Sequence, residues 1–160
     1  MNTDKMEKIY ENIGENLNEI IPEEWSRVVL YSEVSKHSST TYFYFYPKNS
    51  NELIYSLDIE DNYDIDEDAL EELFDSLDME LKSLYHEFKS NKQKPWTNLT
   101  LELKSDGEFN IDYDYSDLSD SDDYEQQIIW KYEKLGIYPD KNSTRDVNII
   151  ETYKKLKQSI

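Results

Sequence analysis

The chain has 160 residues, and its 36 acidic against 17 basic side chains give a formal net charge of −19 at pH 7. Such a surface repels nucleic acid and anionic membranes, and it attracts basic proteins over a Debye length of about 8 Å. The absence of cysteine excludes disulfides, a cysteine nucleophile and thiolate metal sites, and it suits a reducing compartment. Without a signal-peptide pattern or an apolar run of about 18 residues, we expect one cytoplasmic domain over residues 1–160, with no nucleic-acid or membrane partner.

The first part of the chain predicts a helix followed by three strands. Apolar side chains recur at helical spacing over residues 3–21, and Pro22 ends the pattern. Strands are predicted over residues 25–34, 40–46 and 53–59. The second strand contains YFYFY, with aromatic bulk on both faces. Either helices and tyrosines cover its two faces, or one row of rings is exposed for a partner; the covered strand is favoured, because aromatic residues are preferred where a strand is half buried.

A long helix and a β-hairpin follow. The helix is predicted to start near Asp66 and to continue past Phe88, because leucine and aromatic residues form a continuous stripe. The hairpin lies within residues 95–118 and turns at Asp106-Gly107, where glycine supplies the positive φ that such turns need. Apolar and polar side chains alternate on both sides of the turn, which predicts one face in the core and one charged face toward water.

Two more helices are predicted near the end of the chain. The first covers residues 122–135, with Tyr124 on its apolar face and Gly136 as its C-cap. The second begins near residue 143 or 144. Its predicted apolar face consists of Ile149, Tyr153, Leu156 and Ile160. The order α-βββ-α-ββ-αα predicts an α+β fold, in which helices flank an antiparallel β-sheet of about five strands.

The acidic residues are concentrated in two stretches. No lysine or arginine occurs between Lys48 and Lys82, or between Lys104 and Lys131. Part of the first stretch is expected at the start of the long helix, where the helix dipole stabilises negative charge. The predicted loop over residues 60–64 needs no such charge for a cap. Acid at the loop and in the second stretch therefore indicates a surface for a cationic partner.

Neither catalysis nor metal binding has a specific pattern in this sequence. His37 and His86 belong to no recognisable catalytic or metal-ligand spacing, and no glycine-rich loop precedes a helix. A calcium loop starting at Asp112 would need glycine at its sixth position, where Asp117 stands. We therefore predict a non-enzymatic protein with no catalytic residues, no cofactor and no dedicated metal site; adventitious binding of divalent ions remains open.

The candidate partner-binding surface combines carboxylates with tyrosines, which can dock on a cationic protein through charge-assisted hydrogen bonds and stacking with arginine. Its predicted members are Asp112, Asp114, Asp117, Asp120, Asp122, Asp123, Tyr113 and Tyr115, and secondarily Asp61 and Asp64. If strand alternation continues to the end of the hairpin, the two tyrosines face the core and only the aspartates reach a partner. The alternative is a solvated acidic face without a partner.

Several residues along the chain carry a family resemblance. They are Pro22 and Trp25 before the first strand, the YFYFY strand, Trp96, Gly107-Glu108-Phe109 with Asp112-Tyr113-Asp114-Tyr115, and Trp130, Tyr132 and Leu135-Gly136. With these features the chain resembles the YezG-type immunity proteins of Gram-positive bacteria, the group that includes the EsaG antitoxin. The hairpin and the W-x-Y-x-x-L-G segment are the more specific parts.

The resemblance implies a cytoplasmic antitoxin that binds and neutralises a nuclease toxin of a type VII secretion system. Such a toxin has a basic groove for DNA, which an acidic surface complements. Two mechanisms stay open: the acidic face occupies the groove, or the protein grips another surface and distorts the nuclease. The alternative function is an acidic adaptor or chaperone-like module for another basic protein, and a small carboxylate hydrolase is a more distant third.

Overall fold

The computed structural model describes residues 3–159, in two compact units that divide between Ser116 and Asp117. The first unit contains a five-stranded sheet and three helices, and the second contains two helices. In chain order the elements are α1 (Asp4–Ile20), β1 (Trp25–Val34), β2 (Ser39–Pro47), β3 (Ile54–Tyr55), a 3-10 helix (Ser56–Asp58), α2 (Ile59–Asn62), α3 (Glu67–Ser90), β4 (Asn98–Lys104), β5 (Phe109–Asp114), α4 (Asp123–Leu135) and α5 (Thr144–Gln158). This confirms the predicted α+β class and the order of its main elements.

The sheet has the strand order β3-β2-β1-β4-β5, and every neighbouring pair is antiparallel. The apolar stripes of α1 and α3 pack with one face of the sheet in a single core. Its almost completely buried members include Ile13, Leu17, Leu77, Leu81 and Phe43. Since β1 is central and β5 lies at one edge, the hairpin of β4 and β5 presents its outer strand at the end of the sheet.

The aromatic strand β2 is covered on both faces. This agrees with the favoured prediction of a covered strand rather than an exposed row of rings. Phe43 and Phe45 belong to the core shared with the helices. Tyr42 and Tyr44 alternate with them and are only 6% and 5% exposed. Tyr42 stacks on Tyr31 of β1, with ring centroids 5.0 Å apart. These rings are therefore part of the packed interior rather than an exposed aromatic surface.

The third strand is much shorter than its predicted span of residues 53–59. Only Ile54 and Tyr55 pair with β2, because the Ser56 hydroxyl then accepts the Phe43 backbone N–H at 3.1 Å in place of a further ladder bond. The chain turns into the 3-10 helix and α2, which bury Ile59 completely. The prediction of a loop over residues 60–64 was also wrong in part, since α2 extends to Asn62.

The bounds of α4 and the start of α5 agree with prediction, and their apolar faces agree in part, since Ile128, Tyr132 and Tyr153 are half-buried. Asp122 caps α4 by accepting the Tyr124 N–H, and Gly136 ends it with φ of 68°. Tyr124 itself is exposed, whereas Trp130 is the buried residue of α4. In α5 the buried residue is Ile150, and Leu156 is 63% exposed. The predicted Ile160 lies outside the described residues.

Candidate partner-binding surfaces

The edge strand β5 separates apolar from acidic side chains by strict alternation. Ile111 and Tyr113 lie on the face that packs with the helices. Asp112 and Asp114 lie on the opposite face and are exposed. The turn before the strand closes with the Gly107 N–H donating to the Lys104 carbonyl at 2.9 Å, and Gly107 has the positive φ of 91° that was expected. The hairpin thus brings two predicted aspartates onto one surface, two residues apart.

Tyr113 faces inward, as strand alternation predicts, and its side chain is therefore not on the surface with the aspartates. Its hydroxyl hydrogen-bonds the Tyr10 hydroxyl of α1 at 2.7 Å, and its ring centroid lies 5.0 Å from that of Phe88. Burial raises the pKa of Tyr113 well above its usual range. Tyr115, beyond the end of β5, is 42% exposed, with the Lys94 ammonium 5.9 Å from its ring.

The hydroxyl pair of Tyr10 and Tyr113 predicts a measurable coupling. Each single change, Tyr10→Phe or Tyr113→Phe, is expected to reduce the free energy of unfolding by about 1 kcal/mol, because the remaining hydroxyl is left half-buried without its partner. The double variant should lose less free energy of unfolding than the two single variants lose together, since no unpaired hydroxyl remains. Urea denaturation checks this, with Tyr115→Phe as the exposed control, expected within about 0.5 kcal/mol of wild type. Strict additivity would show that the hydroxyls are not coupled.

Several predicted docking aspartates also hold local backbone structure. The Oδ1 atoms of Asp114 and Asp117 accept the N–H groups of Ser116 and Ser119, at 2.7 and 2.9 Å. The backbone N–H of Ser119 lowers the pKa of Asp117 below its usual value. Asp112 and Asp114 belong to the first unit, and the remaining members of this stretch belong to the second. The other predicted members, Asp120, Asp122, Asp123, Asp61 and Asp64, are all exposed.

A cleft in the first unit gathers Glu60 with several carboxylates of α3, some of which the sequence analysis attributes to the dipole of that helix. Its cavity volume is about 590 Å³, and it lies between β2, the segment from Ser56 to Glu60, and the first half of α3. Its acidic lining consists of Glu60, Glu67, Asp68, Glu71, Asp75 and Asp78. The signal was present in the sequence, because residues 67, 71, 75 and 78 follow the spacing of one helix face.

The acidic side chains of this cleft crowd one another. A hydrogen bond with Glu67, followed by the charge of Glu67, raises the pKa of Glu60 above its usual value. Asp78 is the member with a cationic neighbour, since its carboxylate lies 3.0 Å from the Lys82 ammonium. Asp78 also accepts the Ser39 hydroxyl of β2 at 3.0 Å. The remaining carboxylates form no ion pair with any lysine, arginine or histidine of residues 3–159.

In the second unit, tyrosine–carboxylate hydrogen bonds join α4 to α5. The Tyr124 hydroxyl donates to Asp146 at 2.6 Å, and the Tyr153 hydroxyl donates to Glu133. The first bond joins the starts of the two helices and the second lies near their ends, so the helices run side by side in the same direction. The Arg145 guanidinium lies 4.2 Å from the centroid of the Tyr124 ring. Aromatic side chains here hold the two helices together.

Comparison with known proteins identifies the family of the chain. The family model described as "Immunity protein YezG-like" matches residues 6–149. The chain belongs to the YezG-like immunity protein family. Immunity protein YezG of Bacillus subtilis is 40% identical over 143 residues, covering 88% of this chain and 95% of the relative. The relative of the same name from Bacillus spizizenii is 38% identical over 157 residues, covering 97% and 96%. Type VII secretion system protein EsaG of Staphylococcus aureus is 30% identical over 159 residues, covering 95% of each chain.

Several of the residues that carried the resemblance to the YezG-like family have structural roles in the fold. Trp96 is fully buried, and its ring centroid lies 5.8 Å from that of Tyr85. Gly107 and Gly136 both have positive φ, in the hairpin turn and at the end of α4. Trp130 is also buried. These residues therefore account for the shared fold, whereas the exposed carboxylates are the candidates for partner contact.

The tyrosine–carboxylate bonds of this YezG-like chain predict an acid-sensitive second unit. Hydrogen bonding by Tyr153, assisted by Lys157, lowers the pKa of Glu133 below its usual 4.5. A carboxyl group whose pKa is lower in the folded protein stabilises the fold fully at pH values above its ordinary pKa. This stabilisation is lost as the pH falls through the folded-state pKa. We expect the protection of α4 and α5 amides from hydrogen exchange to decrease as pH falls below about 4.5.

Glu133→Gln is the matched control for this pH dependence, because it keeps an acceptor for the Tyr153 hydroxyl but removes the titrating group. The variant should lose part of the acid-induced decrease in protection that wild type shows. The comparison also separates Glu133 from the other carboxylates, whose protonation relieves repulsion in a chain of net charge −19. An identical decrease in both proteins would show that Glu133 does not control it.

Within residues 3–159, no helix is long and apolar enough to cross a membrane. The same part of the chain has no group of three or more histidine, aspartate or glutamate side chains placed to hold a metal ion. His86 is exposed on α3, with its ring centroid 5.6 Å from that of Tyr85.

Proposed function

We propose that this protein is an antitoxin that binds and neutralises a basic nuclease toxin of a type VII secretion system through its acidic surfaces. The observation that carries the proposal is the concentration of exposed carboxylates, on β5 and the segment after it and in the cleft beside α3. Membership of an immunity protein family and the similarity to EsaG support a toxin as the partner. Since the family match runs from residue 6 to residue 149, we treat the two units as one immunity domain.

Charge complementarity supports a nuclease as the partner. An enzyme that cleaves nucleic acid needs lysine and arginine side chains to contact phosphate. A protein with a net charge of −19 is attracted to such a surface from a distance, which accelerates association at low ionic strength. The carboxylates then take the place that phosphates occupy in the nuclease–substrate complex, and substrate is excluded from the groove.

Occupation of the groove is the mechanism that the distribution of side chains supports best. An antitoxin that grips another surface and distorts the nuclease would draw its affinity from buried aromatic anchors. Here Tyr31, Tyr42, Tyr44 and Tyr113 are all turned into the interior. Among the described residues, the exposed large apolar side chains are Leu57, Met79, Tyr115, Tyr124, Tyr138 and Leu156. This small set leaves the carboxylates as the main source of affinity.

The test is inhibition of the toxin encoded beside this gene, co-expressed and then assayed for DNA cleavage at about 50 and 300 mM salt. We expect stoichiometric inhibition at low salt and an affinity at least about tenfold weaker at high salt, because ions screen exposed charge pairs. Inhibition that is insensitive to salt would contradict groove occupation. Absence of both a complex and inhibition, for this and related nucleases, would contradict the antitoxin proposal and favour an acidic adaptor of another protein.

A further inference from the structure

The outer edge of β2 is open for part of its length. β2 pairs with β1 from Ser39 to Pro47, but it pairs with β3 only at Tyr44 and Phe45. Within residues 3–159, no strand continues β3 along the earlier residues of β2, because the chain turns at Ser56. An open strand edge presents unpaired backbone donors and acceptors and is a template for pairing with another chain.

The direction of one hydrogen bond shows which backbone groups are available at this edge. The Phe43 N–H donates to the Ser56 hydroxyl at 3.1 Å, on the side of β2 away from β1. Backbone polar groups point to alternate edges along a strand. The backbone N–H and C=O groups of Thr41 and Ser39, two and four residues earlier, therefore point to the same outer edge as those of Phe43. Both residues line the acidic cleft.

One wall of the cleft, formed by α3, carries carboxylates in a regular row. Glu67, Glu71 and Asp75 follow one another at one helical turn along α3, so their spacing is about 6 Å. In a strand, side chains on one face are separated by about 6.8 Å. Contacts of β2 with α3 run from Ser39 with Asp78 to Phe43 with Phe74, so the helix follows the strand in the opposite direction.

From these features we infer that the cleft binds an extended, basic segment of the partner protein as an added strand on β2. The segment's backbone pairs with Ser39 and Thr41, and its lysine or arginine side chains on one face reach the carboxylates of α3. Side chains on its other face point away from α3, because α3 packs against one face of the sheet and side chains alternate along a strand. That the partner is a toxin rests on the proposed function. The basic and extended character of the segment is inferred from the cleft itself.

Charge selects the occupant of the cleft. A second copy of this chain would bring another row of the same carboxylates against Glu67 and Glu71, and like charges directly opposed are destabilising. A neutral strand could pair with the backbone but would leave the carboxylates in a drier environment without compensation. A basic segment satisfies both the strand edge and the acidic wall.

The experiment uses the full chain, labelled with 15N, and a synthetic eight-residue peptide that alternates arginine with valine. We expect the peptide to shift the amide resonances of Ser39, Thr41, Glu67 and Glu71. The triple variant Glu67→Gln, Glu71→Gln, Asp75→Asn should reduce peptide affinity at least about tenfold. The matched control Glu11→Gln, Glu15→Gln, Glu19→Gln removes the same charge from the exposed surface of α1 and should leave affinity within about twofold of wild type.

Two N-methylated peptides separate strand addition from attraction by charge alone. One peptide carries a methyl group on the backbone nitrogen of every arginine, and the other on the backbone nitrogen of every valine. Each therefore blocks a different edge of the added strand. Strand addition requires one of them to lose binding at least about tenfold more than the other. Equal binding of both, or shifts confined to another surface, would overturn the inference.

Failure of this inference can be distinguished from failure of the proposed function. Peptide binding in the cleft, without inhibition of any nuclease, would refute the antitoxin proposal and support the strand-addition site. Inhibition of the toxin, without peptide binding in the cleft, would refute the site and leave the antitoxin proposal in place. Loss of toxin inhibition in the cleft triple variant, but not in the α1 control, would support both.

Discussion

Changing Asp112, Asp114 and Asp117 together to asparagine is expected to weaken binding of the proposed nuclease toxin by about 3- to 140-fold. Each exposed ion pair contributes about 0.2–1 kcal/mol, and a tenfold change in affinity corresponds to about 1.4 kcal/mol. Asparagine is the right replacement, because the side chains of Asp114 and Asp117 accept backbone N–H groups of Ser116 and Ser119. Asparagine retains such an acceptor while removing the charge.

The measurement for this triple variant is inhibition of DNA cleavage across a range of antitoxin concentrations, at low salt where the charge effect is largest. The α1 variant Glu11→Gln, Glu15→Gln, Glu19→Gln again removes the same net charge elsewhere. It should inhibit like wild type if position matters, and like the aspartate variant if only total charge matters. Full inhibition by the aspartate variant would show that Asp112, Asp114 and Asp117 do not contribute to the interface. The cleft would then be the candidate surface.

Changing Trp96 to alanine is expected to lower the free energy of unfolding by about 3–5 kcal/mol, the range for a fully buried tryptophan replaced by a small residue. Trp96 is 0% exposed, and its ring contacts those of Tyr85 on α3 and Tyr113 on β5. The change would leave a cavity between a helix and the edge strand. Urea denaturation followed by circular dichroism measures the effect.

Trp96→Phe is the control that separates volume from polarity. Within the described part of the chain, the buried Trp96 Nε1 has no hydrogen-bond partner, so phenylalanine removes no hydrogen bond. We expect a cost of about 1–2 kcal/mol, the scale of one or two buried methylene groups. A Trp96→Ala variant within about 1 kcal/mol of wild type would show that the site collapses around the missing ring.

Local patterns explain why much of the fold could be predicted. The stripe of α1 and its Thr3 cap, the Asp66 cap of α3 and the turn at Gly107 all depend on residues within about one helical turn or one hairpin turn of each other. The same applies to the alternation along β5 that turned Tyr113 inward. The exposure of Asp112 and Asp114 was predicted from that alternation, and their role in binding stays a prediction.

The wrong predictions share a different cause, because each depends on segments that are distant in the chain. The span of β3 ends where the Ser56 hydroxyl meets the Phe43 N–H of another strand. In α5, the apolar pattern alone does not show that Ile150 is buried while Leu156 is exposed. Periodicity defines a candidate face, but the neighbouring elements decide which part of that face loses contact with water.

The sequence by itself determined the class of the fold, the order of its main elements, the acidic surface charge and the family. These properties follow from composition and from interactions between near neighbours along the chain. Only the tertiary structure decided that Tyr10 and Tyr113, 103 residues apart, share a hydrogen bond, and that carboxylates of α3 line one cavity with residues of β2. Such pairings form because packing two distant surfaces removes apolar area from water, and no short stretch of sequence specifies which surfaces will meet.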